Sequence, residues 1–279
     1  MVSEKVFNYD IREYQLRSIG LLETIDRVCR EHGLTYYMIA GTLLGAIRHK
    51  GFIPWDDDMD IALMRSDYDV LMQHADEWIP APYAIVDHKR CSRYPKYFAK
   101  LENTDTTIVE NIHLGYAGGI YMDIFPLDDV PDNRVARAFH FYRFHFVRKL
   151  LYFVYRDPYK HGHGIRSWIP LLVQKTFTKE HLHRRCQTIL REWNGKDGCN
   201  HVMTHDDGLC AYRKDTFGVP SKLEFEGFMA CAPANPEGFL KPFYGDYMSL
   251  PPVEKRVSHF HDYCDLNTPY KQFDINSIK

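Results

Sequence analysis

The chain lacks any uncharged apolar run approaching the ~18 residues that a membrane span needs, so no transmembrane helix is expected. Its first residues, MVSEKVFNYDIREYQ, hold no apolar h-region, and no signal peptide is expected. No charge sign dominates. The 35 basic and 37 acidic residues leave a net −2, which gives no basic field for bulk nucleic-acid binding, and no nucleic-acid partner is expected. The seven cysteines are odd in number and scattered. Without an export signal they read as reduced thiols of a cytoplasmic protein. Internal repeats and low-complexity tracts are missing too. What is present is apolar material: 45% of the 279 residues are hydrophobic and 14% aromatic. That suits one large domain, or a domain with an elaborate second lobe.

Periodicity organises the first half. Leu16, Ile19, Leu22, Ile25 and Cys29 form an apolar stripe over 12–32, and Gly33 stops that helix. A strand over 34–40 leads through Gly41 and Thr42 into a short helix, 42–49, ending near Arg48, His49 and Lys50. A second strand covers 59–63, and Ser66 is placed to cap a helix that ends before Pro80. Short strands follow near 83–88, 96–102, 106–110 and 119–125, the last ended by Pro126. This alternation predicts a mixed α/β (α+β) core over 1–130. Residues 131–279 then pack on it as a mostly helical lobe or complete a single domain.

The chemistry-bearing stretch is GTLLGAIRHKGFIPWDDDMDIAL, residues 41–63, with four aspartates in five positions. Carboxylates packed that closely repel, and a divalent cation between them relieves the repulsion. Alternate strand residues share a face, so Asp58 and Asp60 point together while Asp57 does not. Asp123, flanked by Met122 and Ile124, is the third candidate, since a carboxylate in an apolar strand needs a partner. An EF-hand calcium loop fails, because Ile61 stands where its glycine belongs and Asp67 replaces its final glutamate. A solvated turn of surface aspartates is the bland alternative. Gly41 and Thr42, at a strand-to-helix turn, expose backbone amides suited to a phosphate. Such a turn followed some sixteen residues later by D-x-D is the pattern of nucleotidyltransferase-like active sites.

The segments YYMIAGTLLGAIRHKGFIPWDDDMDIAL, KYFAKLENTDTT, GGIYMDIFPLDDV and YGDYMSLPPVEKRVSH resemble the LicD family, relatives of fukutin and fukutin-related protein. The likeness spans most of the chain except roughly 131–195. It implies a nucleotidyltransferase-type fold with an added helical lobe. It also implies Mg²⁺- or Mn²⁺-dependent transfer of a phosphorylated alcohol from a CDP-alcohol donor to a glycan hydroxyl, releasing CMP. In bacterial members the donor is CDP-choline and the acceptor a teichoic acid, lipopolysaccharide or similar glycan, often lipid-linked. In the fukutin group the donor is CDP-ribitol, and CDP-glycerol is a further possibility. A CTP-dependent enzyme that makes the CDP-alcohol is the alternative within the same fold. The family's metal carboxylates match Asp58 and Asp60, with Asp123 third, and its glycine turn matches Gly41 and Thr42. Arg48, Lys50 and Lys100 are candidates for phosphate contacts, against the plainer reading of surface charges.

Two further features stand outside this scheme. Cys199, His201, His205 and Cys210 loosely resemble a zinc site. Over 134–155 an apolar stripe of Val135, Phe139, Tyr142, Phe146, Leu150 and Phe153 runs beside Arg134, Arg137, Arg148 and Lys149. Such a stripe either packs into the core or lies in an anionic membrane interface, as a peripheral contact at the inner face of the membrane.

Overall fold

The computed structural model describes residues 9–206, 208–256 and 261–278. The first helix, α1 (Ile11–Glu31), begins where the Asp10 side chain accepts hydrogen bonds from the amides of Arg12 and Glu13. Gly33, at φ +68°, follows its end. Leu22, Ile25 and Cys29 are buried as expected, but the face is turned toward Tyr14, Leu21 and Val28, which leaves Leu16 exposed.

Next come β1 (Tyr36–Met38), α2 (Ala40–His49), β2 (Asp60–Met64) and α3 (Arg65–Trp78). Ser66 does not cap α3. The helix starts one residue earlier, with Met64 at the cap position and no side-chain bond there. The strands β3 (Tyr83–Val86), β4 (Ala99–Asn103), β5 (Thr107–Val109) and β6 (Tyr121–Val130) follow. Pro126 lies inside β6 rather than ending it, and register explains why. The Asp123 amide bonds Met59 toward β2. By alternation the nitrogen of Pro126 faces the other edge. On that edge the pairing with β4 ends at Ile124 and the next begins only at Asp128, so no ladder bond is lost.

After β6 come α4 (Arg134–Tyr155), α5 (Trp168–Thr176) and α6 (Lys179–Leu190), then β7 (His201–Met203) and β8 (Tyr212–Arg213). The chain continues through α7 (Lys214–Phe217), β9 (Ser221–Phe225), β10 (Phe228–Ala232), α8 (Pro236–Tyr244) and β11 (Tyr263–Asp265). The strand expected over KLEFEGFMA is two strands, hinged at Glu226 and Gly227, both at positive φ (53° and 80°).

The main sheet runs β1-β2-β6-β4-β3, with β7 and β8 extending it from the far end of β6. Only the β2–β6 pair is parallel among these. A mixed α/β fold is therefore present. Its main apolar core runs from Leu22 and Ile25 of α1 through the sheet to Leu190 of α6 and Phe239 of α8. The α4 stripe divides: Leu150 and Phe153 pack partly buried against the core, but its first part does not. Val135, Phe139, Tyr142 and Phe146 are exposed, and the helix buries Phe141, Phe144, Leu151 and Val154 instead. Among the described residues no helix is long and apolar enough to cross a membrane.

Candidate active site

Strand register builds the centre of the site. Across the parallel pair Asp60 lies opposite Asp123, and across the antiparallel pair Asp123 lies opposite Lys100. Side chains at paired positions share a face, so three strands set two acids and a lysine in one row. Lys100 is fully buried. Its Nζ lies 2.8 Å from Glu110 Oε2, 3.3 Å from Asp123 Oδ1 and 3.1 Å from the centre of the Tyr121 ring. Burial opposes that charge, but the Asp123 and Glu110 carboxylates outweigh it and raise the lysine's pKa. Glu110 moves the other way: burial disfavours its charge, yet Lys100 and Lys96 hold it well below the usual carboxylate range. Asp123 is pushed up to about 6, first by burial and then by the nearby Glu110 and Asp58 carboxylates, against the pull of the two lysines.

Asp58, Asp60, Asp123 and Glu110 all line one cavity of about 910 Å³. Asp58 stands in the loop ahead of β2 rather than within the strand, and the Tyr121 hydroxyl lies 3.2 Å from both Asp58 Oδ1 and Glu110 Oε1. Asp57 is absent from the cavity lining. It is buried, accepts a hydrogen bond from the Tyr9 hydroxyl at 2.5 Å, and sits 3.1 Å from Nε2 of His261, which does line the cavity. Asp57 thus shares no face with its neighbour and helps to hold the segment.

The turn before α2 differs from expectation in detail. Ala40, not Gly41, carries the left-handed backbone, at φ +45°, in a region costly to non-glycine residues. At Gly41 a Cβ would meet Asp56 Oδ2 at 2.9 Å, so a side chain there would push that carboxylate aside. Both residues line the cavity. The Thr42 hydroxyl does not face it. It is buried and accepts the Asp60 amide at 2.7 Å, which fixes the start of β2.

Arg48 and Lys50 are not in the cavity lining. Arg48 contacts His49 and the Tyr247 carbonyl, and Lys50 pairs with Glu224. Lys100 lies beneath the lining, spent on Asp123 and Glu110. The cations that do line the cavity are Lys96, just ahead of β4, and Arg148 and Lys149 of α4. Of the residues that sequence reasoning passed over, Glu110 carried a signal, as a lone acid after the apolar run of β5. His261 carried none, since it arrives through the pairing of β11 with β5.

The carboxylates suit a hard, oxygen-seeking cation. Asp123 Oδ1 is buried and has Lys100 as an ion-pair partner at 3.3 Å but no well-formed hydrogen bond, which leaves it room to accept a cation. Among the described residues, however, no three His, Cys, Asp or Glu side chains stand gathered as a finished metal cage. An ion here would draw Asp123 from Lys100. The zinc pattern fails outright: His201 bonds Asp132, His205 contacts His140, and Cys210 reaches the Pro242 carbonyl, so the ligands disperse. The end of the last family-like segment, Val257 to His259, lies outside the described residues.

Comparison with known proteins agrees with this layout. Residues 33–156 match the family described as LicD/FKTN/FKRP, nucleotidyltransferase domain. The chain is 28% identical over 267 residues, 89% of its length and 95% of the relative's, to the lipopolysaccharide cholinephosphotransferase LicD of Haemophilus influenzae. An uncharacterized protein of Rickettsia typhi is 39% identical over 64 residues, 23% of this chain and 21% of that one. The acidic row, its lysine and the cationic residues of α4 all fall inside the segment that matches the LicD/FKTN/FKRP nucleotidyltransferase domain, and the chain as a whole is similar to the LicD cholinephosphotransferase.

Proposed function

We propose that the protein transfers a phosphorylated alcohol, phosphocholine before others, from a CDP-linked donor to a hydroxyl of a cell-surface glycan of the lipopolysaccharide or teichoic acid kind. The observation that carries this reading is one cavity lined by the Asp58, Asp60 and Asp123 carboxylates, by Lys96, which pairs with Glu110 beside them, and by Arg148 and Lys149 of α4. The activity for which the Haemophilus influenzae relative is named, cholinephosphotransfer to lipopolysaccharide, supports the choice of group and acceptor. In this reading the protein works in the cytoplasm.

Asp58, Asp60 and Asp123 would hold a Mg²⁺ or Mn²⁺ ion, which would stabilise the negative charge that builds on the leaving phosphate. The chain's own residues do the rest. The amides at the start of α2, beside Gly41, favour an anionic group, and Lys96, Arg148 and Lys149 bind phosphate oxygens. Phe98, Phe125, Tyr152 and Tyr244 also line the cavity and offer ring faces to a quaternary ammonium. The acceptor oxygen attacks the phosphorus that bears the alcohol. The new P–O bond forms as the bond to CMP breaks, the electron pair leaves with CMP, and Asp123 takes the acceptor's proton. Without an ion in place, burial pushes the Asp123 carboxyl up to about 6, so it is a stronger base than an ordinary carboxylate.

A thermal-shift series with CDP-choline, CDP-ribitol, CDP-glycerol and CTP, each with Mg²⁺, followed by product analysis, tests this reading. CDP-choline should raise the melting temperature most, and CMP should appear when a glycan acceptor is added. Pyrophosphate release from CTP in place of CMP would reassign the protein to synthesis of the donor.

A further inference from the structure

The cavity leaves unused a large apolar face on α4 and α5. On α4, Val135, Phe139, Tyr142 and Phe146 recur at spacings of three and four, so they share one side of the helix. They are 79%, 65%, 61% and 67% exposed. α5 lies against α4: Pro170 and Val173 are buried, and the Gln174 amide donates to the carbonyls of Phe153 and Arg156. The rest of α5 is apolar and outward, with Trp168 at 71% and Leu172 at 67% exposure, and Ile165 just ahead of it at 80%. Exposed apolar side chains gathered on two packed helices in this number mark an interaction surface.

Charge identifies what covers it. From Arg134 to Thr178 the chain has nine Lys and Arg residues and one acid, Asp157, while the remainder has 26 basic and 36 acidic residues. Apolar exposure and positive charge are thus concentrated in one stretch, α4, α5 and the segment between them, of a chain whose net charge is −2. We propose that the α4–α5 face docks the protein on an anionic lipid bilayer. Aromatic and aliphatic side chains on one side, flanked by Lys and Arg, are the composition of helices that lie in the membrane interface. A second copy of this chain fits poorly, because two such faces would meet with like charge. α4 also brings His145, Arg148 and Tyr152 to the cavity wall on a neighbouring side of the same helix. Docking therefore sets the cavity beside the bilayer, where a lipid-linked glycan would stand. The surface is argued independently of the reaction, and either can fail without the other.

Flotation of the full chain with phosphatidylcholine vesicles, and with phosphatidylcholine–phosphatidylglycerol vesicles, tests the proposal. The wild type should float with the anionic vesicles, less as salt rises and less with neutral lipid. Trp168 emission should shift to the blue on binding, and Trp168→Phe should abolish that shift. A Phe139→Ser/Phe146→Ser/Trp168→Ser variant, altered only at exposed positions, should lose flotation while its circular dichroism is unchanged. Removing Arg134, Arg166 and Lys175 as glutamines should lower partitioning about fivefold for each charge. Three outcomes overturn the proposal: no flotation of the wild type at low salt, flotation of the apolar triple variant equal to wild type, or a wild-type dimer in sedimentation that the triple variant dissolves.

Discussion

Two walls face each other across the cavity, and they are built on different principles. The acidic wall is a product of strand register: Asp60, Asp123 and Lys100 stand in one row because β2, β6 and β4 pair as they do. Its charges are buried, paired and preorganised. The opposite wall is one side of a single helix, whose Arg148 and Lys149 reach in from the surface. Arg148 pairs there with Asp206, both partly exposed. Burial makes each charge of the first wall expensive to leave alone, whereas solvent makes each charge of the second cheap to change. Structure and chemistry should therefore depend steeply on one wall and weakly on the other.

The largest effect is expected at Lys100. Lys100→Met keeps the length of the side chain but leaves Asp123 and Glu110 without their shared cation, and a broken buried pair costs about 3–5 kcal/mol. Urea unfolding should show that loss. A variant as stable as wild type would mean that the row is not held by its lysine. Next comes Asp60→Asn, expected to leave the melting temperature within a few degrees and to lower kcat on the order of 10²-fold or more. Asp57→Asn provides the contrast. Its carboxylate lies outside the cavity lining and serves Tyr9 and His261, so its loss should cost stability more than turnover. Equal losses of kcat in the two variants would erase the distinction drawn between these neighbours.

How far the sequence foretold this depends on distance along the chain. The helix α1 is stopped by Gly33, and the acids of D-x-D and Asp123 stand out against apolar strands, because those signals are local. Arg48 and Lys50 looked eligible through nearness to the aspartates. Yet α2 starts at the cavity and runs away from it, and ten residues carry its end about 15 Å off. From the sequence Lys100 is only a candidate for a phosphate contact, because a strand's neighbours cannot be read from its own letters and its opposition to Asp123 is a matter of register. His261 enters through a pairing of β11 with β5 that joins residues some 150 apart in sequence. The zinc pattern failed for the same reason in reverse: residues close in sequence turned to different partners.

A third test uses pH on the buried side. Burial pushes the Glu102 carboxyl up to about 7, against the hydrogen bond from Tyr116 and the charge of Lys100. A folded-state pKa above the unfolded value means that the folded protein binds the extra proton, so this group's contribution to stability is lost as pH rises between about 4.5 and about 7. Glu102→Gln removes that dependence. It should be more stable than wild type at pH 8, by on the order of 2 kcal/mol, with the gap closing toward pH 5. Melting curves across that range would check it. A gap that widened on acidification would reverse the sign and show that Glu102 is stabilised as a charge.

The smallest effect is expected on the helical wall. Lys149 is exposed and lines the cavity, and in the proposed reaction it binds a donor phosphate. A solvated charge of this kind is worth roughly 0.2–1 kcal/mol in pairing, so Lys149→Gln should raise the KM for the CDP-alcohol about two- to fivefold and leave kcat unchanged. Added salt should weaken donor binding to the wild type and narrow its difference from the variant, since exposed charges are screened over about 8 Å at physiological ionic strength. Asp60→Asn should show the opposite split, with its loss in kcat and little response to salt. If Lys149→Gln lowered kcat as far as Asp60→Asn does, the helix would be part of the reacting centre, and the contrast between a preorganised acidic wall and a solvated cationic one would not hold.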